Sequence, residues 1–155
     1  MLTAGLTKLY QALVALGNSL QPFFLLFIRL FWGWQFFIAG FGKFADIEKI
    51  SGYFETLAIP YPLLSAYLAA SAEMFGGALL LIGLGSRLAA IPLIITMLTA
   101  LSTAHIEKAS KIWEDPTSFL ALGPVTFLLA ALIIFVFGPG MFSVDGLIKR
   151  ILNKN

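Results

Sequence analysis

The chain has 155 residues, of which 59% are hydrophobic and only 12% are charged. Soluble proteins carry roughly 25% charged residues, so this composition excludes an ordinary water-soluble domain. A net charge of +2 with scattered basic residues gives no footprint for nucleic acid. Because the chain has no cysteine and one histidine, disulfides, thiol relays, iron–sulfur clusters and multi-histidine metal sites within one chain are also excluded.

The first 20 residues predict an amphipathic helix. Leucines recur at spacings of three and four with polar side chains between them, at positions Leu2, Leu6, Leu9, Leu13, Leu16 and Leu20. Such a stripe suits a helix on the membrane surface or against a neighbouring subunit better than a membrane span. A cleavable signal peptide is disfavoured, since no basic segment precedes an apolar core and no clear cleavage site follows.

Four apolar segments follow, and they predict membrane spans at about 20–42, 63–83, 87–105 and 117–138. The break at Gly17–Pro22 starts the first span, and a short amphipathic helix follows it around Phe44 to Leu57. A polar tail covers 139–155. The predicted fold is therefore an all-α, integral membrane, four-transmembrane-helix bundle with an N-terminal amphipathic helix, forming one domain over residues 1–155.

The basic residues outside the spans predict the orientation in the bacterial or archaeal cell (inner) membrane. Five lie on the side of both termini and four on the other: Lys8, Arg87, Lys149, Arg150 and Lys154 against Lys43, Lys49, Lys108 and Lys111. Because basic residues favour the cytoplasmic side, we expect both termini in the cytoplasm.

Two charged residues lie inside predicted spans. With a rise of about 1.5 Å per residue, Arg29 lies about 13 Å and Glu73 about 15 Å deep, from opposite sides of a core of about 30 Å. A lone charge at that depth is costly, so the two are predicted to pair near the midplane. The pair could fix the register of the helices, bind a ligand or handle protons.

Three further polar residues and two tryptophans are candidates for a site. Lys43 and His105 are expected near one membrane surface, where the single histidine can titrate or merely end a helix. Arg87 is expected at the opposite surface, most simply as an anchor. Trp32 and Trp34 are predicted to line an internal cavity together with Gly77, and such an aromatic, apolar cavity suits a quinone.

The chain resembles the DoxX family of small four-span membrane proteins over about residues 22–146. The resemblance depends on the order and spacing of these residues: Arg29, Ala39, Gly40, Lys43, Pro60, Glu73, Gly76, Gly77, the run 80–84, Arg87, His105, Gly138, Pro139, Gly140, Ser143, Val144 and Asp145. Members include a subunit of a thiosulfate:quinone oxidoreductase and proteins induced by quinone or thiol stress. The resemblance implies a quinone-linked redox function with Arg29, Lys43, Glu73, Arg87 and His105 as the matching positions, and it assigns no catalytic residue.

The preferred hypothesis is therefore a redox-associated membrane protein, a possible oxidoreductase subunit, that binds a quinone-like, lipid-soluble molecule within the bundle. It would hold no covalent cofactor and no metal, and its electrons would come from a partner redox protein. The alternative is a non-catalytic scaffold or assembly subunit in which the buried charges are structural and the N-terminal helix recruits a partner or a second copy. A transporter is disfavoured, because the spans lack the broken-helix pairs of a transport site.

Overall fold

The computed structural model describes residues 2–152, with side chains from Gly5 onward, and within that part of the chain it contains helices and no strand. The helices, in chain order, are α1 Leu2–Ala45, α2 Ile47–Thr56, α3 Pro62–Ile82, α4 Ser86–Ser102, α5 Ile106–Ser110, α6 Pro116–Leu120, α7 Gly123–Phe137 and α8 Val144–Leu152. The predicted all-α class is confirmed, as is the short helix after the first span, which is α2.

Helices α1, α3, α4 and α7 pack around one apolar core. Each contributes one large, fully buried side chain, namely Phe36, Leu80, Leu93 and Ile134. These side chains supply the apolar contacts that hold the four helices together, since protein interiors are packed at close to crystal density.

Two of the four core helices are long and apolar enough to cross a membrane, α1 from Gly5 to Ala45 and α3 from Pro62 to Ile82. The apolar helices α4 and α7 are shorter, with 17 and 15 residues. Two of the four predicted spans thus lie in helices of sufficient length and apolarity, and the crossing of all four stays a prediction.

The predicted break near residue 20 is wrong, because α1 is one continuous helix of 44 residues. Pro22 lies inside it. A proline removes one helical hydrogen bond, that to the carbonyl four residues earlier, which here is the carbonyl of Asn18. All residues from 5 to 21 are exposed, so the first half of α1 extends beyond the helix core as an arm. We call residues 5–21 the N-terminal arm.

The predicted span 117–138 is also wrong as a single helix. It is divided into α6 and α7 at Leu122, whose backbone is extended. Pro124 lies in the first turn of α7 and cannot donate a hydrogen bond backward into α6, which explains the break. At the start of α6, the Asp115 carboxylate accepts a hydrogen bond from the Ser118 N–H at 3.0 Å. Hydrogen bonding with the side chain and then the backbone of Ser118 holds the pKa of Asp115 below its usual range.

Helices α1 and α3 touch backbone to backbone, because glycines face each other where they cross. A Cβ on Gly40 would lie 2.7 Å from the Ala70 carbonyl oxygen and 2.8 Å from Met74 Cα. A Cβ on Gly77 would lie 2.7 Å from the Gly33 carbonyl oxygen. Small residues permit this approach, which is typical of helix pairs in membranes. The contact also fixes which residues of α3 lie beside each residue of α1.

Candidate functional site

A cavity of about 590 Å³ lies between α2, α3, α4 and the start of α7. Its walls are mainly apolar, and they include Tyr53 and Phe54 of α2, Leu68 of α3, Ile95 of α4 and Phe127 of α7. The exposed side chains of Tyr53, Leu68 and Ile95 show that the cavity reaches the protein surface. Its volume falls within the range of roughly 300–1,000 Å³ that small-molecule sites occupy.

An ion pair between α1 and α3 lies on the wall of this cavity. Lys43 Nζ donates a hydrogen bond to Glu73 Oε2, and both residues are among those that line the cavity. Glu73 is only 2% exposed, whereas the Lys43 side chain is 25% exposed. The helix crossing at Gly40 brings the two residues together, since Lys43 lies almost one turn beyond that glycine and Glu73 lies beside Met74. A buried carboxylate thus has its counter-ion, as it requires in an apolar surrounding.

His105 lies on the same cavity wall, at the point where α4 has ended and α5 begins. Its backbone N–H donates to the Ala100 carbonyl at 3.2 Å, which holds the residue in place. Its imidazole does not cap α5 and makes no hydrogen bond within the described residues 5–152. Both ring nitrogens are therefore free to bind a group in the cavity.

The threonine hydroxyls of the cavity wall already donate to backbone carbonyls of α4. Thr96 Oγ1 donates to the Pro92 carbonyl at 2.9 Å, and Thr103 Oγ1 donates to the Thr99 carbonyl at 2.7 Å. The strongest polar groups that face the cavity are consequently the Lys43–Glu73 pair and His105.

Arg29 lies at the opposite end of the helix core and contacts the turn between α7 and α8. Its Nη1 donates to the Pro139 carbonyl at 2.8 Å, and its Nη2 donates to the Phe142 carbonyl at 2.6 Å. The residue is 3% exposed. The predicted pair with Glu73 is therefore wrong. The crossing places Gly33 against Gly77, so that Arg29 lies level with Gly83, well past Glu73 along α3.

Asp145 completes this end of the molecule. Its carboxylate accepts hydrogen bonds from the Gly85 N–H at 2.8 Å and the Ser86 N–H at 3.1 Å, which caps the start of α4. Its own N–H donates to the Gly83 carbonyl at 3.0 Å. A carboxylate at a helix N-terminus is favourable for charge and for hydrogen bonding. We call Arg29, Gly83, Ser86 and Asp145 the Arg29 cluster.

Arg87 and the aromatic candidates lie outside the cavity wall. Arg87 is exposed, and its Nη2 donates to the Val136 carbonyl at 3.1 Å in the last turn of α7. Trp34 is exposed and stacks on Phe37. Trp32 lies behind the wall and packs edge-on against Phe127, with the ring centroids 5.0 Å apart.

The prediction that Trp32, Trp34 and Gly77 line the cavity is therefore corrected, since none of the three belongs to its wall. Gly77 is used in the contact between α1 and α3. The sequence reasoning missed the wall that α2 supplies. The signal was present in the apolar face of that amphipathic helix, whose residues Ile50, Phe54 and Leu57 line the cavity.

The arrangement offers a cation, a carboxylate and an imidazole at the edge of an apolar space. Such a set can donate hydrogen bonds to an oxygen and exchange protons with it. Among the described residues no three His, Asp or Glu side chains lie close enough to hold a metal ion.

Comparison with known proteins places the chain in a family. The family model described as DoxX matches residues 24–106, which include Lys43, Glu73 and His105. No solved structure gives a significant match.

Three relatives extend the similarity. An uncharacterized membrane protein of Mycobacterium tuberculosis is 31% identical over 130 residues, covering 76% of this chain and 77% of the relative. An uncharacterized protein of Haemophilus influenzae is 25% identical over 131 residues, covering 82% and 84%. The Bacillus subtilis protein named "Putative oxidoreductase CatD" is 29% identical over 82 residues, covering 53% and 60%. The chain is a membrane protein of the DoxX family.

Proposed function

We propose that this protein binds a quinone-like, lipid-soluble molecule in the cavity beside Lys43, Glu73 and His105, and acts as the membrane subunit of a redox system. The observation that carries the proposal is one apolar cavity of about 590 Å³ that joins an ion pair and a free imidazole. The similarity to a protein named as an oxidoreductase supports a redox role.

The residues of the cavity fit a quinone. The apolar wall suits the ring and the start of an isoprenoid tail, and the exposed rim at Leu68 and Ile95 gives a route for the rest of the tail. The ring oxygens of a quinone accept hydrogen bonds, and Lys43 and His105 are donors of the right kind. When bound, a quinone supplies the capacity to accept two electrons and two protons.

The residues of the chain would then position the ligand and supply protons to it, and they would not carry electrons. Glu73 holds the Lys43 ammonium at the wall, and Lys43 and His105 donate hydrogen bonds to the ligand. Glu73 and His105 can each hold a proton next to an oxygen of the ligand. A chain with no cysteine and one histidine has few ligands for a redox metal, so we propose that a partner redox protein delivers the electrons.

The proposal includes a placement in the membrane. Helices α1, α3, α4 and α7 would all cross the bacterial or archaeal cell membrane with both termini in the cytoplasm. The cavity would then open towards the acyl chains, from which a lipid-soluble ligand can enter. The majority of basic residues on the side of the termini supports this orientation.

Equilibrium binding of a short-tailed menaquinone or ubiquinone analogue to the purified protein in lipid nanodiscs tests the proposal. We expect saturable binding that weakens at least tenfold in Glu73→Gln and several-fold in His105→Ala. Arg87→Ala is the matched control, because Arg87 is an ionisable residue of the same chain outside the cavity. Affinities equal to those of protein-free nanodiscs, or unchanged by both cavity substitutions, would overturn the proposal.

A non-catalytic scaffold is the second candidate, and one observation favours it. Both charged residues that are buried in the described part of the chain bind one segment to another, Glu73 joining α3 to α1 and Arg29 joining α1 to the turn after α7. If the charges serve only this purpose, Glu73→Gln lowers the thermal stability and leaves any binding of the analogue intact. The binding and stability measurements on the same variant therefore separate the two candidates.

A further inference from the structure

The N-terminal arm carries a strict heptad pattern that the cavity does not explain. Every leucine of the arm falls on one of two positions that each recur every seven residues, and the set is Leu6, Leu9, Leu13, Leu16 and Leu20. The alternating spacing of three and four residues is that of positions a and d in a coiled coil. These five leucines are 55–65% exposed, although they are the largest aliphatic side chains of the arm.

The pattern continues without a change of phase into the half of α1 that packs on the helix core. The next a and d positions after Leu20 are again large and apolar: Phe23, Phe27, Leu30, Trp34, Phe37 and Phe41. All of these are exposed except Phe37, which is partly buried. Leu6 to Phe41 therefore form one outward-facing seam over five heptads. We call these eleven residues the heptad seam.

The opposite face of α1 shows that the seam is a separate surface. In the lower half of α1 the buried residues lie away from the seam, as Arg29, Gly33 and Phe36 do. On the corresponding side of the arm lie polar or small residues such as Gln11 and Asn18. The helix thus turns one face to its own core and leaves most of the heptad seam exposed. Within the described residues Phe23 contacts Phe142, with the ring centroids 5.3 Å apart, and Phe37 is partly buried.

We propose that the heptad seam binds the same seam of a second copy of this chain, as a parallel coiled coil of two α1 helices. A stripe that merely faced lipid along a straight α-helix would follow a period of 3.6 residues, from which a stripe of period 3.5 drifts by about 20° for each heptad, or about 100° over five heptads. The sequence keeps the period of 3.5 instead, which is the period that keeps two supercoiled helices in contact.

Charge and geometry also favour a second copy as the partner. The described arm contains one charged residue, Lys8, at a position that faces away from the seam, so two arms do not repel each other along the contact. Two copies inserted in one membrane with the same orientation present their arms parallel and at the same height. The membrane therefore supplies the register that identical leucine positions could not specify alone.

The seam is long enough for a stable contact. Eleven core positions with their flanking neighbours approach the roughly 20 to 30 residues that each partner contributes to an interface of standard size. The contact would be self-complementary, as the two-fold symmetry of a homodimer requires.

The absence of cysteine allows a direct test on the full chain. Leu13→Cys and Leu16→Cys place single thiols at an a and a d position, whereas Gln11→Cys and Asn18→Cys place them on the face of the helix opposite to the seam. In a parallel dimer only the seam positions approach the Cα separation of roughly 4.4–6.8 Å that a disulfide needs. We expect oxidation in proteoliposomes to cross-link the two seam variants at least tenfold more than the two variants of the opposite face, and dilution with lipid to preserve this ratio.

Two outcomes would overturn the proposal: equal cross-linking of all four variants, which random collision gives, or no cross-linking of the seam variants. A second measurement keeps the proposal testable if the arm of a cysteine variant does not fold. The mass of the protein in detergent should be that of two chains for the wild type and for Gln11→Lys with Asn18→Lys, and that of one chain for Leu13→Lys with Leu16→Lys. An arm that lies on the lipid surface gives the mass of one chain in all three proteins.

Discussion

Two charged residues are almost completely buried among residues 5–152, and their surroundings differ in kind. Arg29 donates to two backbone carbonyls of the turn between α7 and α8 and lies near the capping carboxylate of Asp145. Glu73 has one ionic partner, Lys43, and both face a cavity. The Arg29 guanidinium is bound by main-chain carbonyls, and the Glu73 carboxylate lies at the wall of the cavity.

The difference teaches how to separate a structural charge from a candidate site. A buried guanidinium whose two terminal nitrogens donate to main-chain carbonyls, as those of Arg29 do, holds segments of the chain together. A buried charge that borders a cavity beside a free imidazole can change partners when a ligand binds. The Arg29 cluster therefore belongs to the stability of the fold, and the Lys43–Glu73 pair with His105 belongs to the proposed function.

The largest expected effect is that of Arg29→Met. The substitution leaves the carbonyls of Pro139 and Phe142 without their charged donors, and unsatisfied buried groups of this kind cost about 1–3 kcal/mol each. We expect the free energy of unfolding to fall by about 3–5 kcal/mol, measured by chemical denaturation in detergent. The affinity of the folded fraction for the quinone analogue should be unchanged.

Arg87→Met is the matched control for this variant, because Arg87 is exposed and donates one hydrogen bond to Val136. It should lower the free energy of unfolding by less than about 1 kcal/mol. If Arg29→Met proved as mild as the control, the structural role of the Arg29 cluster would be refuted.

The second effect concerns the ion pair at the cavity. Glu73→Gln leaves the Lys43 ammonium without its counter-ion, and breaking a buried pair costs about 3–5 kcal/mol. Because Lys43 is partly exposed, we expect a smaller loss, of about 2–3 kcal/mol in the free energy of unfolding. Removing both charges in Lys43→Met with Glu73→Gln should restore most of that stability, since an apolar replacement of a pair is often neutral.

The double variant separates the two roles of the pair, because its stability and its affinity for the quinone analogue should change differently. Its stability should approach that of the wild type, while its affinity for the quinone analogue stays at least tenfold weaker. A double variant that regains both stability and affinity would show that the pair, like Arg29, only holds helices together.

The third effect tests the contact between α1 and α3, which decides which residues of α3 lie beside Arg29 and Lys43. In Gly40→Ala the new methyl group meets the backbone of Ala70 and Met74, so α1 and α3 must separate. We expect a loss of about 1–3 kcal/mol in the free energy of unfolding, as for other overpacked sites.

Gly42→Ala provides the control for this contact, because nothing lies within 4 Å of its Cβ. It should stabilise the chain by up to about 1 kcal/mol, since alanine is the better helix former. Equal effects of the two substitutions would mean that α1 and α3 do not cross at Gly40.

The sequence predicted the bounds of the helices better than it predicted which residues of neighbouring helices lie beside each other. Hydropathy and the proline and glycine signals placed α3 and α4 to within a few residues, because apolar length and helix ends are local properties. The pairing of Arg29 with Glu73 failed because it assumed that the first span starts at residue 20. That depth depends on where α1 meets α3, which the glycine contact decides, and no local pattern reveals which glycine faces which.

The cavity residues show the same limit. The sequence indicated Lys43, Glu73 and His105 as polar candidates. It did not show that all three line one cavity, because the walls of that cavity come from α2, α3, α4 and the start of α7. Trp32 and Trp34 were predicted to line a cavity because they lie near the middle of a span. Position along a span does not tell whether a ring faces a cavity, a neighbouring helix or the surface.

The smallest expected effect is that of His105→Ala, and it tests the cavity side of the comparison alone. The imidazole makes no hydrogen bond within the described part of the chain, so its removal should change the free energy of unfolding by less than about 0.5 kcal/mol. A hydrogen bond to the ligand is worth about 0.5–1.5 kcal/mol, so the affinity for the quinone analogue should fall roughly 2- to 10-fold. His105→Gln keeps a donor at this position and should recover part of that affinity. A loss of stability without a loss of affinity would assign His105, as well as Arg29, to the fold, and would leave the cavity with the ion pair as its sole polar contact.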